Sequence, residues 1–99
     1  MKSNDLCLLG FARKSNNLSL GMDASVTAIK RGKSQLLFLA SDISDKSKKE
    51  IEFLCAKHNV KVYLSEFTMD VIAEHIGKRV GILSVNSQQF AQSILTKIQ

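Results

Sequence analysis

The chain has 99 residues, enough for one domain, so we expect residues 1–99 to fold as a single unit. Hydrophobic residues make up 44% of the chain and charged residues 23%, which is typical of a globular protein. The absence of proline argues against a linker or a disordered tail. The apolar run at residues 6–12 is far shorter than the ~20 residues of a membrane-spanning helix. We therefore expect neither a signal peptide nor a membrane anchor, and favour a cytoplasmic location.

The net charge of +5 is unevenly distributed along the chain. Residues 1–33 carry six basic and two acidic groups, and residues 75–99 carry three basic and no acidic groups. The middle, residues 34–74, carries five basic and seven acidic groups. If the two ends meet in the folded protein, they form one positive face suited to a polyanion.

The first half of the chain predicts helix 4–14, strand 17–20, a helix between residues 21 and 32, and strand 35–40. In the first helix, Leu6, Leu9 and Gly10 fall on one face at helical spacing. Gly32 is expected to end the second helix, because glycine readily adopts the left-handed backbone of a helix end. The strand at 35–40 contains the continuous apolar run LLFLA, which predicts burial on both faces of a sheet.

The second half predicts a helix from 44 or 45 to 58, strand 60–64, helix 67–76, strand 79–85 and a closing helix. Strict alternation places Val60, Val62 and Leu64 on one face of their strand. Asn86, with Gln89 three residues later, resembles a capping box that opens the closing helix. Strands separated by helices predict an α/β fold, a three-layer α-β-α sandwich with a central mixed four-stranded sheet.

Residue patterns for catalysis or cofactor binding are weak. Gly32, Lys33 and Ser34 look like the end of a phosphate-binding loop. However, the earlier glycine is missing, and the segment leads from a helix into a strand, the reverse of the required order. Cys7 and Cys55 lie among apolar residues without a CxxC pair, so we interpret both as buried free thiols. We therefore expect no enzyme activity, no cofactor and no metal site.

The remaining signal is a set of basic clusters at predicted helix ends: Arg13 and Lys14, then Lys30, Arg31 and Lys33, then Lys78 and Arg79. One interpretation is that cations simply favour the last turn of a helix, where they complement its dipole. RNA binding explains better why these ends lack nearby acids while carboxylates crowd the middle of the chain. We expect Arg13, Arg31, Lys33 and Arg79 to lie unpaired on a common side of the sandwich.

Residues 20–42, LGMDASVTAIKRGKSQLLFLASD, resemble the core of the ribosomal protein L7Ae/L30e family. In that family a glycine opens a helix that ends in an AI-x-x-G or AV-x-x-G pattern before a lysine and a hydrophobic strand. The segments KHNVKVY and IAEHIGKRVGILSV also resemble the family in order and content. The opening LLGFARKSNNLSLG and the tail QQFAQSIL are similar to its bacterial YlxQ-type members, which are ribosome-associated.

The resemblance implies the same sandwich and binding to a kink-turn or related structured RNA, ribosomal RNA included. Together with the basic clusters, it implies a ribosome-associated protein with these RNA-binding residues: Gly21, Met22, Asp23, Ala24, Ser25, Thr27, Lys30, Arg31, Lys33, Gly77, Lys78, Arg79, Val80, Arg13 and Lys14. The amides and positive dipole end at residues 21–23 would face a phosphate.

Three positions depart from the family's kink-turn readers. Where those readers have asparagine and glutamate to hold the guanines of sheared G·A pairs, this chain has Asp23 and Ala24, and Thr27 replaces the expected lysine. Asp23 can accept a hydrogen bond but cannot donate one, and Ala24 can do neither. The loss of two base contacts would cost roughly 2–6 kcal/mol, at ~1–3 kcal/mol each. We therefore expect altered or weakened kink-turn readout.

Two alternatives remain open at this point. A protein-interaction adaptor could keep the fold and lose RNA binding, and an exposed apolar patch around Met22, Phe67 or Phe11 would favour it. An enzyme on a similar sandwich would need a deep pocket with convergent polar groups.

Overall fold

The computed structural model describes residues 1–98 and begins with a single 3-10 turn, Ser3–Leu6. The remaining elements follow in the order α1 Cys7–Lys14, β1 Leu18–Leu20, α2 Met22–Lys30, β2 Leu36–Leu39, α3 Asp45–Lys57, β3 Val62–Leu64, α4 Met69–Ile76, β4 Ile82–Val85 and α5 Gln88–Ile98. Every predicted element is present, and the bounds differ by a few residues at the ends. Among the described residues, no helix combines the length and apolar character needed to cross a membrane.

The four strands form one mixed sheet in the order β1-β4-β2-β3. Strand β4 pairs antiparallel with both β1 and β2, whereas β2 and β3 run parallel. This confirms the predicted mixed four-stranded sheet. The order brings β1, from the start of the chain, beside β4, from near its end, so distant segments meet at this side of the molecule.

Strand β2 lies at the centre of the core, as its continuous apolar run predicts. All four of its residues, and Ala40 after it, are 0% exposed. Leu36 and Phe38 pack on one face of the sheet with residues of α1, α4 and α5, and Leu37 and Leu39 pack on the other with residues of α2 and α3. Helices therefore cover both faces, which confirms the three-layer α-β-α sandwich.

Strand β3 has the predicted alternation of faces, but both faces are partly covered and the end of the strand is exposed. Val62 packs with the residues of α2 and α3, whereas Tyr63 packs on the opposite face with its ring centroid 5.3 Å from that of Phe38. Leu64 is 47% exposed, because β3 is an edge strand and no helix within residues 1–98 covers its last residue. The alternation of apolar residues predicted which side chains share a face of β3, but it could not predict where the helices stop covering the strand.

Two helix starts also differ from the sequence prediction. Helix α4 begins at Met69 because the Thr68 hydroxyl accepts a hydrogen bond from the Val71 amide at 3.3 Å, and Phe67 precedes the helix as a core residue. Helix α5 is capped by Ser87, whose hydroxyl accepts from the Phe90 amide at 3.3 Å. The predicted cap at Asn86 is wrong, because its side chain is hydrogen-bonded elsewhere.

The two cysteines have different environments, so the prediction of two buried thiols is wrong for one of them. Both are free thiols, but Cys7 is exposed and Cys55 is buried. The inward face of α1 and of the turn before it is formed by Leu6, Leu9 and Ala12, and Cys7 lies outside this face. Burial raises the pKa of Cys55 to about 11, and the nearby charge of Glu52 adds to the rise.

Gly10 allows α1 to cross close to α4. A β-carbon at this position would lie 2.9 Å from the backbone oxygen of His75, a distance that side chains do not tolerate. The close crossing positions the C-terminal end of α1 beside that of α4. It therefore fixes where Arg13 lies relative to the loop that follows α4.

Candidate nucleic-acid interface

The start of α2 carries amide groups without a capping partner. Gly21 precedes the helix with φ +91°, a conformation that other residues rarely adopt, and it has no side chain to cap the helix. Its own amide donates to the Ile82 carbonyl at 2.8 Å, so it is not available to a ligand as the sequence suggested. The next three amides, at residues 22–24, open the helix without an intrahelical acceptor.

The loop between α4 and β4, residues 77–80, lies against this helix start. A cleft of about 290 Å³ is lined by Gly21 and Met22 from one side and by Arg79 and Val80 from the other. Met69 also lines the cleft and makes part of it apolar. The structure thus brings together residues from the two predicted segments of the interface.

Arg79 is paired, contrary to the expectation that the interface cations lack acidic partners. Its Nε donates to the Asp70 carboxylate at 2.7 Å, with 58% of the arginine side chain and 78% of the aspartate side chain exposed. This hydrogen bond and the charge of Asp70 raise the pKa of Arg79. The two residues are nine positions apart, on the first turn of α4 and on the loop after it, so the pairing depends on how that loop folds back.

Arg13 has a structural role at the end of α4. Its Nη1 donates to the carbonyl oxygen of Ile76, immediately before Gly77, whose φ of +79° ends the helix. A cation at a helix C-terminus satisfies an otherwise unpaired carbonyl and complements the dipole. Arg13 and Lys14 line a separate depression beside Glu74, so they do not join the α2 cations in one site.

The exposed side of α2 borders a larger groove of about 620 Å³. Ala24, Thr27 and Arg31 line it from the helix, and Lys33 lines it from the loop before β2. Its other lining residues are mainly polar side chains that sequence reasoning missed: Asn16, Asn17, Ser19, Gln35 and Asn86. The paired asparagines in the turn after α1 were a visible signal, but their proximity to Asn86 depends on the pairing of β1 with β4.

The remaining predicted interface residues divide by exposure. Lys30 and Lys78 are exposed, and neither forms an ion pair within residues 1–98. Asp23 is also exposed, in the first turn of α2, where a carboxylate stabilises the helix dipole. Ser25 is 0% exposed, and its hydroxyl donates to the Ser19 carbonyl at 3.5 Å. Its side chain packs α2 against β1 and is removed from the surface.

The fold and this surface define a class of small α/β proteins in which one helix and one neighbouring loop form a polar, partly cationic face. The chain belongs to the ribosomal protein L7Ae/L30e/S12e/Gadd45 family, whose family model matches residues 6–95. The resemblance seen in the sequence is thereby confirmed at the level of the family.

Two curated relatives are large ribosomal subunit proteins. The chain is 29% identical over 79 residues to eL30 of Candida glabrata and, equally, to eL30 of Saccharomyces cerevisiae. In each case the match covers 78% of this chain and 75% of the relative.

Two solved structures share the fold. A Bacillus halodurans protein of unknown function has a TM-score of 0.91 at 24% identity, with 98% of each chain covered. A 15.5 kD RNA-binding protein of Giardia lamblia has a TM-score of 0.76 at 14% identity, covering 92% of this chain and 78% of that one. At these identities the likeness establishes the architecture.

Proposed function

We propose that this protein binds structured RNA through the start and exposed side of α2 together with the α4–β4 loop, residues 77–80. The observation that carries the proposal is the loop's position against the three uncapped amides of α2, with exposed cations on both segments. Amides and the positive end of a helix dipole bind phosphate, and flanking cations neutralise it. The eL30 relatives and the Giardia RNA-binding protein support an RNA ligand.

In this proposal the protein acts on the ribosome or on ribosomal RNA in the cytoplasm of a bacterium. The two ends of the chain resemble the bacterial YlxQ-type members, which are ribosome-associated. Its RNA affinity should fall with salt, with a log–log slope of about −0.7 to −0.9 for each phosphate neutralised. An adaptor that binds protein instead is less well supported, because Phe67 is only 8% exposed and Met22 is half-buried. Phe11 is 56% exposed, but it lines a depression together with the charged residues Arg13, Lys14 and Glu74.

Kink-turn readout is weakened in this proposal. Asp23 and Ala24 are both exposed at the start of α2, so they would meet the RNA. Asp23 offers a hydrogen-bond acceptor but no donor, and Ala24 offers neither, whereas the asparagine and glutamate of kink-turn readers hold both guanines of the sheared G·A pairs. The carboxylate of Asp23 also brings negative charge near phosphates. The protein would then bind by shape and charge, with little preference for a kink-turn over another structured RNA.

Fluorescence anisotropy with a kink-turn RNA and a scrambled hairpin of equal length tests this. We expect binding to both with similar affinity. The triple variant Asp23→Asn, Ala24→Glu, Thr27→Lys should gain kink-turn preference of at least about 30-fold, the equivalent of ~2 kcal/mol for two restored base contacts. Tight kink-turn-selective binding by the unaltered protein would contradict weakened readout, and no binding to either RNA would contradict the RNA function.

Asp70 offers a second test, because its carboxylate could either lower or raise the RNA affinity. If its carboxylate only repels RNA, Asp70→Ala should strengthen binding; if it orients Arg79 toward the RNA, the same change should weaken binding by a few-fold. We expect weakening, since the Nε–Oδ1 hydrogen bond of 2.7 Å fixes the guanidinium beside the cleft. Glu74→Ala, which removes an exposed carboxylate from the same helix, is the matched control and should not weaken binding in the same titration.

A further inference from the structure

The groove between α2 and the turn after α1 has features of a binding site in its own right. Its volume of about 620 Å³ falls within the range of about 300–1,000 Å³ for pockets that hold small organic ligands. It lies apart from the cleft at the start of α2, and no residue lines both. The groove is therefore a separate concave surface on the same side of the helix that carries Arg31.

The polar groups of the groove are held in place by a network that joins two strands. The Asn86 side chain accepts a hydrogen bond from Ser84 at 2.6 Å through Oδ1 and donates to Ser19 at 2.8 Å through Nδ2. The Asn86 backbone amide also donates to the Asn17 carbonyl at 2.9 Å. Because each of the two side-chain bonds uses one position of the side-chain amide, one Nδ2 hydrogen and one Oδ1 lone pair of Asn86 remain for a ligand.

The charge of the groove is entirely positive. Arg31 and Lys33 are exposed, form no ion pair within residues 1–98, and line it together. None of the groove's lining residues, all within the described part of the chain, is acidic. Two cations beside several amide and hydroxyl groups match a ligand that combines a phosphate with a base whose edge carries hydrogen-bond donors and acceptors.

We infer that this groove is a second RNA subsite that binds an unpaired nucleotide, with Lys33 and Arg31 on its phosphate and the amides of Gln35 and Asn86 on its base. The inference rests on the proposed RNA function, because Ala24, Thr27 and Arg31 belong to the groove and also to the side of α2 that would meet RNA. A base inside a duplex has its edge occupied, whereas an unpaired base presents its edge to amides and stacks on a guanidinium plane.

NMR titration of the ¹⁵N-labelled protein with the single-stranded tetranucleotides U₄ and A₄ tests the subsite. The side-chain amide resonances of Asn17, Gln35 and Asn86 should shift on addition of either oligonucleotide. In titrations at several salt concentrations, the Lys33→Gln variant should reduce the log–log salt slope of the tetranucleotide affinity by about 0.7, the value for one phosphate contact on a single strand.

A charge introduced without a change of shape gives a sharper comparison. Gln35→Glu places a carboxylate on an exposed position of the groove and should weaken tetranucleotide binding, whereas Gln92→Glu, the same change at an exposed position of α5, should not. Equal effects of the two variants, or tetranucleotide shifts that spare the groove amides, would overturn the subsite. The hairpin titration above separates this failure from the failure of RNA binding itself, since hairpin binding would persist if only the subsite is wrong.

Discussion

Replacing both Arg31 and Lys78 by glutamate should lower RNA affinity by about 100-fold at ~0.1 M salt while leaving the protein folded. A slope near −0.9 per phosphate makes each contact worth roughly tenfold at that salt concentration, and the double variant loses two contacts. Both side chains are exposed and lie on the two segments of the proposed interface, one after α2 and one in the α4–β4 loop. The log–log salt slope should become shallower by about 1.4 to 1.8.

Anisotropy titrations at several salt concentrations measure both the RNA affinity and its log–log salt slope. The control is Lys61→Glu with Lys97→Glu, which changes the net charge equally at exposed positions outside the clefts described above. A melting curve checks the fold, because a carboxylate after α2 opposes the helix dipole and costs roughly 0.3–1 kcal/mol. If both double variants reduce affinity alike, the binding depends on net charge alone and Arg31 and Lys78 have no place in a defined interface.

Phe38→Ala should lower the free energy of unfolding by about 3–5 kcal/mol, the usual cost of removing a buried aromatic side chain from a core. Phe38 is 0% exposed, stands opposite Leu83 and Tyr63 in the neighbouring strands, and contacts the Tyr63 ring edge-to-face. Since domains of this kind are stable by only about 5–15 kcal/mol, the change removes a large fraction of the total.

Urea denaturation monitored by circular dichroism gives this value from the midpoint and the slope. Phe53→Ala is the matched control, because Phe53 is 75% exposed on α3 and its removal should change stability by no more than about 0.5 kcal/mol. Similar losses in both variants would mean that Phe38 does not stabilise the core as its burial indicates. The comparison thus tests the fold independently of any RNA.

The proposed interface would favour some RNA shapes over others. Its cations are divided between the α2 groove and the α4–β4 loop, while Arg13 is occupied at the end of α4 and Arg79 is paired with Asp70. Among the predicted interface cations on α2 and the two loops, Lys30, Arg31, Lys33 and Lys78 form no ion pair within residues 1–98. An RNA that satisfies these positions needs phosphates at two separate places, which a bent or looped molecule provides more easily than a straight helix.

The sequence predicted the elements of the fold because their signals are local. The continuous apolar run of β2 predicted burial on both faces, and the spacing of Leu6 and Leu9 predicted the inner side of the first helical segment. Gly32, which has a positive φ, predicted the end of α2. These features depend on neighbours within a few residues along the chain. The resemblance of residues 20–42 supplied the family, which the family match over residues 6–95 confirmed.

What the sequence could not give are contacts between residues distant in the chain. The composition showed that cations outnumber acids, but only the folded protein decided that Arg13 caps a helix 63 residues away and that Arg79 meets Asp70 across a loop. The pairing of β1 with β4 brought Asn86 to Ser19, 67 residues earlier, and the packing of α2 on β1 buried Ser25. Helical and strand periodicity are set by the local backbone, whereas the partner of a charged or polar side chain is set by the packing of whole elements.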